Sequence, residues 1–356
     1  MAGEKTEEQG LTTADALLFA AAAGVAVGNL YWTQPLLARI AENFGVQASV
    51  GGHLMTATQV GYALGILLLV PLGDMANRRK LVTTLLALCA VLAVWGGWNV
   101  KTDPPVKNVA VTVPRLPADL DGLKIVQLTD IHVSPLYEKE RFTDLVKKVN
   151  AQNPDFIFIT GDIADGTPQS RRAIMPFLHD LKAKIGVVMI PGNHDYYVDY
   201  TAWRHYYKSI GVPFLENGHV EFRKGDDVIT VVGMTDRSGI QYGYPGPDIE
   251  KATFGADVSN ALRIGLIHRP EDAAKWADPR WGLDLLLAGH THGGQIFIMY
   301  PSVWLQNHGY VRGLYHVGNI PFYVSPGIGS WSGTPTRIGA PTEITLLTLH
   351  SPEKTH

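Results

Sequence analysis

The stretch Gly186-Val-Val-Met-Ile-Pro-Gly-Asn-His-Asp195 decides how this 356-residue chain is read. An apolar run of strand length stops at Pro191-Gly192, and Asn193, His194 and Asp195 follow at once. The same grammar recurs on either side. Lys124–Leu128 leads into Asp130-Ile-His132, Asp155–Thr160 into Gly161-Asp162, Arg263–Ile267 into His268, and Leu283–Leu287 into Gly289-His-Thr-His292. Between these runs, Arg141–Ala151, Arg171–Ala183 and Thr201–Ile210 carry apolar residues three and four apart, which predicts amphipathic helices. Later segments, Val220–Phe222, Val228–Val232 and Glu343–Leu349, read as β pairs with a turn at Lys224-Gly-Asp-Asp. Strands alternating with helices predict a layered α/β domain. Loops at the carboxyl ends of such strands are where open α/β folds bind ligands.

Every cluster offers hard oxygen or imidazole donors, a set suited to Mn, Fe, Zn or Mg. The single cysteine, Cys89, rules out a thiolate site or a disulfide within one chain. Asp130 and His132 are two apart and point the same way if the chain there is extended. His290 and His292 do likewise in an extended chain, whereas a turn would aim them at two neighbouring ions. The glycines at 161, 192, 289, 293 and 294 let the backbone turn tightly beside these groups. Taken singly, His268 is an ordinary histidine and Gly161-Asp162 an ordinary turn. The ordered set, each member just past an apolar run, is what points to metal chemistry.

The first hundred residues differ in kind. Three stretches, 16–38, 43–73 and 81–100, contain no charged residue. About 20 helical residues cross a hydrocarbon core, so transmembrane helices are expected at about 14–36, 51–73 and 81–98. A signal peptide accounts for one such run at most, and the first lacks a basic start. Trp95 and Trp98 close the third as an interfacial belt would. His53, near the start of the second, reads as interfacial. Arg78, Arg79 and Lys80 outweigh Arg39 in the loops between spans, which puts the Arg78–Lys80 loop in the cytoplasm. Residues after 101 then lie on the outer or periplasmic face of the cell (inner) membrane. Residues 101–108, with Pro104-Pro105, read as a linker before a domain over 109–350. The net charge is −3 with no basic excess, which argues against a nucleic-acid partner.

Two resemblances refine this reading. Asn29-Leu-Tyr-Trp-Thr-Gln-Pro-Leu-Leu, Thr58-Gln-Val-Gly-Tyr-Ala-Leu-Gly and Pro71-Leu-Gly-Asp-Met-Ala-Asn-Arg-Arg-Lys80 resemble the first three helices of a major facilitator transporter. Met75 departs from it, standing where a basic residue is common. Such carriers need two six-helix halves, so three helices imply an anchor and not a transporter fragment at work. The polar set Asp130-x-His132, Gly161-Asp162, Gly192-Asn-His-Asp195, His268 and Gly289-His-Thr-His292 resembles the signature of the calcineurin-like metallophosphoesterases. Its last part, Gly-His-Thr-His-Gly-Gly-Gln295, is similar to the membrane-associated bacterial branch, that of the UDP-diacylglucosamine pyrophosphatases.

The second resemblance implies a four-layer αββα sandwich with two divalent metal ions. Asp130, His132, Asp162 and His292 would hold one; Asp162, Asn193, His268 and His290 would hold the other, with Asp162 shared. A hydroxide bridging such a pair is then the nucleophile. His194 would face the leaving group. Asp195 would either orient His194 or merely cap its loop. Tyr196, Tyr197 and Trp203 would wall the substrate pocket or serve as core. The implied activity is hydrolysis of a phosphodiester or pyrophosphate bond in a small phosphate ester or a lipid-linked substrate. The alternative on the same site is a phosphomonoesterase or protein phosphatase.

Overall fold

The computed structural model describes residues 12–14, 16–18, 20, 21, 24, 48–256, 262–331 and 335–352. The chain falls into two compact units, Met1–Leu86 and Ala87–His356. Helix α1 spans Ala48–Met75 and helix α2 spans Arg78–Lys101. Among the described residues, α2 alone is both long and apolar enough to cross a membrane. At 1.5 Å per residue its length is about 36 Å, against a hydrocarbon core of about 30 Å. The described apolar part of α1 is shorter, Gln59–Met75. The span expected at 14–36 lies outside the described residues but for scattered positions. Among the described residues one helix, not three, therefore meets the length criterion.

The second unit holds eleven described strands: β1 (Val106–Thr112), β2 (Lys124–Leu128), β3 (Phe156–Thr160), β4 (Gly186–Ile190), β5 (Gly218–Lys224), β6 (Asp227–Gly233), β7 (Leu262–Leu266), β8 (Leu285–Ala288), β9 (Gly313–Val317), β10 (Ile320–Val324) and β11 (Ile344–His350). They form two mixed sheets, ordered β1-β11-β2-β3-β4 and β5-β6-β7-β8-β10-β9. Strands β2, β3 and β4 run parallel in the first sheet, and β6, β7 and β8 run parallel in the second. Helices α3 (Lys139–Asn150), α4 (Asn193–Tyr197), α5 (Tyr200–Ser209) and α6 (Tyr300–Gln306) are the ones that bear on the site.

The period-2 alternation of a strand sorts the core into layers. In β3, Phe156 and Phe158 face the second sheet, as do Ile125, Val188 and Leu347, and share a cluster with Ile264 and Leu287 of that sheet. Ile157 and Ile159 face the other way, onto Phe142, Leu145 and Val149 of α3 and Trp203 and Tyr207 of α5. On the far side of the second sheet, Leu286, Ala288, Phe322 and Val324 pack on Ile249, Ala252, Ala273 and Trp276. Strands buried on both faces read as continuous apolar runs, which is why β2, β3, β4, β7 and β8 are legible in the sequence.

Three expectations change. Arg171–Ala183 is not one helix: a short helix ends at Arg171 and a 3-10 segment covers Met175–Asp180. Pro176 supplies no N–H and bars its predecessor from a regular helix. The expected linker shrinks, since α2 continues to Lys101 and β1 begins at Val106. The β9–β10 hairpin has no counterpart among the expected strands; it turns at Gly318, whose φ is +61°.

Phe158 is wholly buried between the sheets. Phe158→Ala is expected to lower stability by about 3–5 kcal/mol through cavity formation, read from chemical denaturation followed by tryptophan fluorescence. A loss below about 1 kcal/mol would mean that the inter-sheet core is not tightly packed there.

Candidate metal centre

The polar loops all leave the carboxyl ends of parallel strands and meet at one edge of the sandwich. Asp130 and His132 follow β2, Asp162 follows β3, and Asn193, His194 and Asp195 open α4 after β4. His268 follows β7 in the other sheet, and His290 and His292 follow β8. Backbone bonds knit the loops: Asp130 N–H donates to Gly161 O (3.1 Å), His132 N–H to Asp162 O (3.1 Å) and Gly289 N–H to His268 O (3.0 Å).

Three clusters of potential ligands result, Asp130–His132–His292, Asp162–His268–His290 and His132–Asp165–His194, of which the first two contain only residues expected as ligands. Asp162 stands between these two. Its Oδ1 accepts the His194 backbone N–H at 2.8 Å. Its Oδ2 is left 3.6 Å from His132 Nε2 and 3.2 Å from His268 Nε2. His292 Nε2 lies 3.2 Å from His132 Nε2 and 3.4 Å from Asp130 Oδ1. Asn193 Oδ1 lies 3.1 Å from His268 Nε2, its amide held by donation to Tyr197 OH at 2.9 Å. All seven residues named as ligands from the sequence are thus brought together.

The extended route weighed for Asp130–His132 and His290–His292 is not taken, and the turn weighed for the second pair is. Asp130, His132, Asp162, His290 and His292 all have left-handed φ, between +47° and +71°. Asp and His tolerate this region better than most residues, yet such conformations persist only where surroundings impose them. Ile131, between Asp130 and His132, is buried in the core. The Gly289–Gly294 segment turns, so His290 joins one cluster and His292 the other. A Cβ at Gly192 would overlap Asp162 Oδ1, and one at Gly289 would overlap Thr129 Oγ1.

Of the two roles open to Asp195, orienting His194 or capping the loop, it takes the second. Asp195 accepts from Gly192 N–H (2.7 Å), Asp162 N–H (3.1 Å) and Tyr207 OH (3.0 Å), so it is the loop cap. Burial, helped by the Asp162 charge, pushes its carboxyl up to about 7. The carboxylate at His194 is Asp165, whose Oδ1 lies 2.9 Å from His194 Nδ1 and 3.1 Å from His132 Nδ1. Its signal in the sequence is only a lone acid after Asp162-Ile-Ala. Two arginines also escape a reading of the sequence. Arg269 is held by Asp236 (2.8 Å) and Ser238 (3.0 Å), with Nη1 2.9 Å from His290 Nε2. Arg337, wholly buried, donates to His292 O at 3.2 Å and to Pro326 O at 2.8 Å. Tyr196 and Trp203 are core, while Tyr197 lies beside His194 with ring centroids 4.8 Å apart.

The residues fit a pair of cations. His132 turns Nδ1 to Asp165, and His268 turns Nδ1 to the Thr160 carbonyl at 2.8 Å, so both aim Nε2 at carboxylate oxygen. Lone pairs facing at this range need a cation or a proton between them. Burial opposes charging of both rings. Asp165 and Asp162 outweigh it at His132, pushed up to about 9, and Asp162 and Asp130 outweigh it at His268, pushed up to about 10. Burial and Arg269 hold His290 far below the usual histidine range; burial, His132 and Arg337 do so for His292. Asp130 Oδ1 is buried with no hydrogen-bond partner among the described residues. Buried carboxylate oxygens are rarely left so, and this one faces the first cluster.

A layered α/β sandwich with two imidazole–carboxylate clusters joined by one aspartate defines the class of dinuclear metallohydrolases. The calcineurin-like phosphoesterase family model matches residues 123–294. A metallophosphoesterase of Bacillus subtilis, YkuE, is 35% identical over 66% of this chain and 82% of its own length. The chain belongs to the calcineurin-like phosphoesterase family. It is also 37% identical to a "transmembrane protein with metallophosphoesterase domain" of Danio rerio over 74% of this chain, and 35% identical to one of Bos taurus over 78%. The alignments span 61% and 65% of those two relatives.

Without metal, His132 and His268 hold protons below about 9 and 10, so cations must displace them. Metal binding at pH 7.5 is expected to release about two protons, with affinity rising as pH increases; calorimetry in buffers of different ionisation enthalpy measures this, and zero release would refute it. Asp165→Asn is expected to lower metal affinity or turnover about 10–100-fold. Asp195→Asn should instead cost about 1–3 kcal/mol of stability and leave metal affinity nearly intact, as denaturation and metal titration would show.

Proposed function

We propose that this chain is a membrane-anchored, two-metal hydrolase of phosphodiester or pyrophosphate bonds whose substrate is a lipid-linked phosphate. The observation that carries the two-metal reading is Asp162 Oδ2, free of backbone bonds and set between His132 and His268 at 3.6 and 3.2 Å. In this reading Asp130, His132, Asp162 and His292 hold one divalent ion, and Asp162, Asn193, His268 and His290 the other. Mn, Fe, Zn or Mg would supply Lewis-acid neutralisation of the phosphoryl oxygens and acidification of water.

The chain's own groups do the rest. His194, only partly exposed, is oriented through Nδ1 by Asp165, which leaves Nε2 to protonate the departing oxygen. Arg269, clamped by Asp236 and Ser238, presents a fixed guanidinium beside His290 for a phosphate oxygen. Asn193 keeps its amide oxygen turned to the centre through Tyr197.

The lipid-linked substrate is supported by α2 and by the short connection between that helix and the first strand. Only residues 102–105 separate Lys101 from β1, a reach of at most about 18 Å. Arg78, Arg79 and Lys80 at the start of α2 favour a cytoplasmic beginning, with the catalytic domain on the outer face of the cell membrane. The transporter-like N-terminal segment serves as anchor.

Asp162→Ala and His292→Ala are each expected to abolish turnover. His194→Ala is expected to slow it about 10²–10⁴-fold with bound metal unchanged. The assay pairs metal content with a panel of phosphomonoester, phosphodiester, pyrophosphate and lipid-linked pyrophosphate. Full activity of Asp162→Ala would sink the shared-carboxylate site, and equal efficiency on soluble and lipid-linked esters would sink the substrate assignment.

A further inference from the structure

Directly after the metal-ligand loop the chain runs Ile296-Phe-Ile-Met-Tyr-Pro-Ser-Val-Trp-Leu-Gln306, without a charged residue. A run of this composition belongs in a core. Here it lies outside one. Phe297 is 60% exposed, Ile298 74%, Trp304 48% and Leu305 68%, and helix α6 within it buries no residue. Contiguous apolar exposure of this kind marks a contact surface on a water-soluble domain.

The neighbour of the patch identifies its occupant. Phe297 N–H donates to Ile338 O, and Ile338 N–H to Gln295 O, each at 2.9 Å. The same short strap is seated on the end of α2. Arg337 N–H donates to Gly96 O at 3.1 Å, and Asn99 Nδ2 donates to Arg337 O at 2.9 Å. Gly96 packs so closely on Thr336 and Ile338 that a Cβ there would overlap Thr336. Flanking Gly96 are Trp95 and Trp98, the latter 67% exposed. The patch is therefore one strap away from the tryptophans that close the apolar helix, where a bilayer surface would lie. It also has the make-up of an interfacial segment: aromatic and aliphatic side chains outward, polar groups at the ends, and an arginine, Arg312, a few residues on.

We propose that Phe297–Leu305 beds in the bilayer interface beside the end of α2, a second contact with the membrane that holds the mouth of the metal centre at headgroup depth. Because His290 and His292 lie on the loop that runs into this segment, seating it also fixes the loop. The proposal rests on α2 spanning the membrane, and its test separates the two.

The full chain carrying Cys89→Ala is reconstituted in vesicles of phosphatidylcholine and phosphatidylglycerol. Single cysteines at Leu86→Cys, Ile298→Cys, Leu305→Cys and Asp226→Cys are nitroxide-labelled. Asp226 lies in the turn before β6, at the end of that strand opposite the site. Power saturation then compares accessibility to oxygen, which partitions into lipid, and to a water-soluble nickel chelate. The expected result is a lipid-type ratio at 86, 298 and 305 and a water-type ratio at 226. Water-type ratios at 298 and 305 with a lipid-type ratio at 86 would overturn the proposal and leave the anchor standing. A water-type ratio at 86 would overturn both. Dipolar broadening at 298 and 305 that vanishes on dilution with unlabelled protein would show a second copy on the patch and overturn the proposal as well.

Discussion

A single buried carboxylate, that of Asp162, sets the terms for the loops around it. It is almost wholly excluded from water, and an unpaired charge there would cost several kcal/mol. One oxygen is compensated by the His194 backbone N–H, the other by histidine nitrogens arriving from both sheets. The two sheets also meet at this edge through His292 beside Asp130 and through His268 Nδ1 beside the Thr160 carbonyl. Gly192 is part of the same arrangement, since a side chain there would occupy the carboxylate's place.

Convergence of this kind strains the chain that carries it. Five of the seven residues expected as ligands sit in the left-handed region, each at a cost of order 1–3 kcal/mol. The strain is tolerable because strands β2, β3, β7 and β8 anchor the loops from fully buried side chains. Rigid strands supply the stability, and the loops at their ends use part of it to aim ligands. The same division explains why Asp165 and the two arginines matter: they hold imidazoles already brought close by the fold.

Arg337 joins two parts of the molecule that the chain keeps far apart. Its backbone N–H and carbonyl bind the last turns of α2 at Gly96 and Asn99, and its guanidinium binds the His292 carbonyl. The end of the apolar helix and His292 thus share one buried partner. The helix end and the catalytic domain are in this respect packed together, not merely tethered, which places the exposed Phe297–Leu305 segment beside the helix end.

The strands and the polar loops are legible because burial on both faces writes an unbroken apolar run, and because Asp, Asn and His recur in order just past five such runs. The 171–183 segment misleads because its apolar spacing fits a helix while Pro176 forbids one. Sequence by itself determined which residue types stand at the strand ends, and hence that hard cations suit them. Tertiary structure decided which residue serves which: that Asp165 and not Asp195 meets His194, and that Arg337 reaches His292 across forty-five positions. The reason is physical. Ligand chemistry belongs to the side chain and is written locally, whereas pairing depends on left-handed turns and sheet packing that no short stretch of sequence contains.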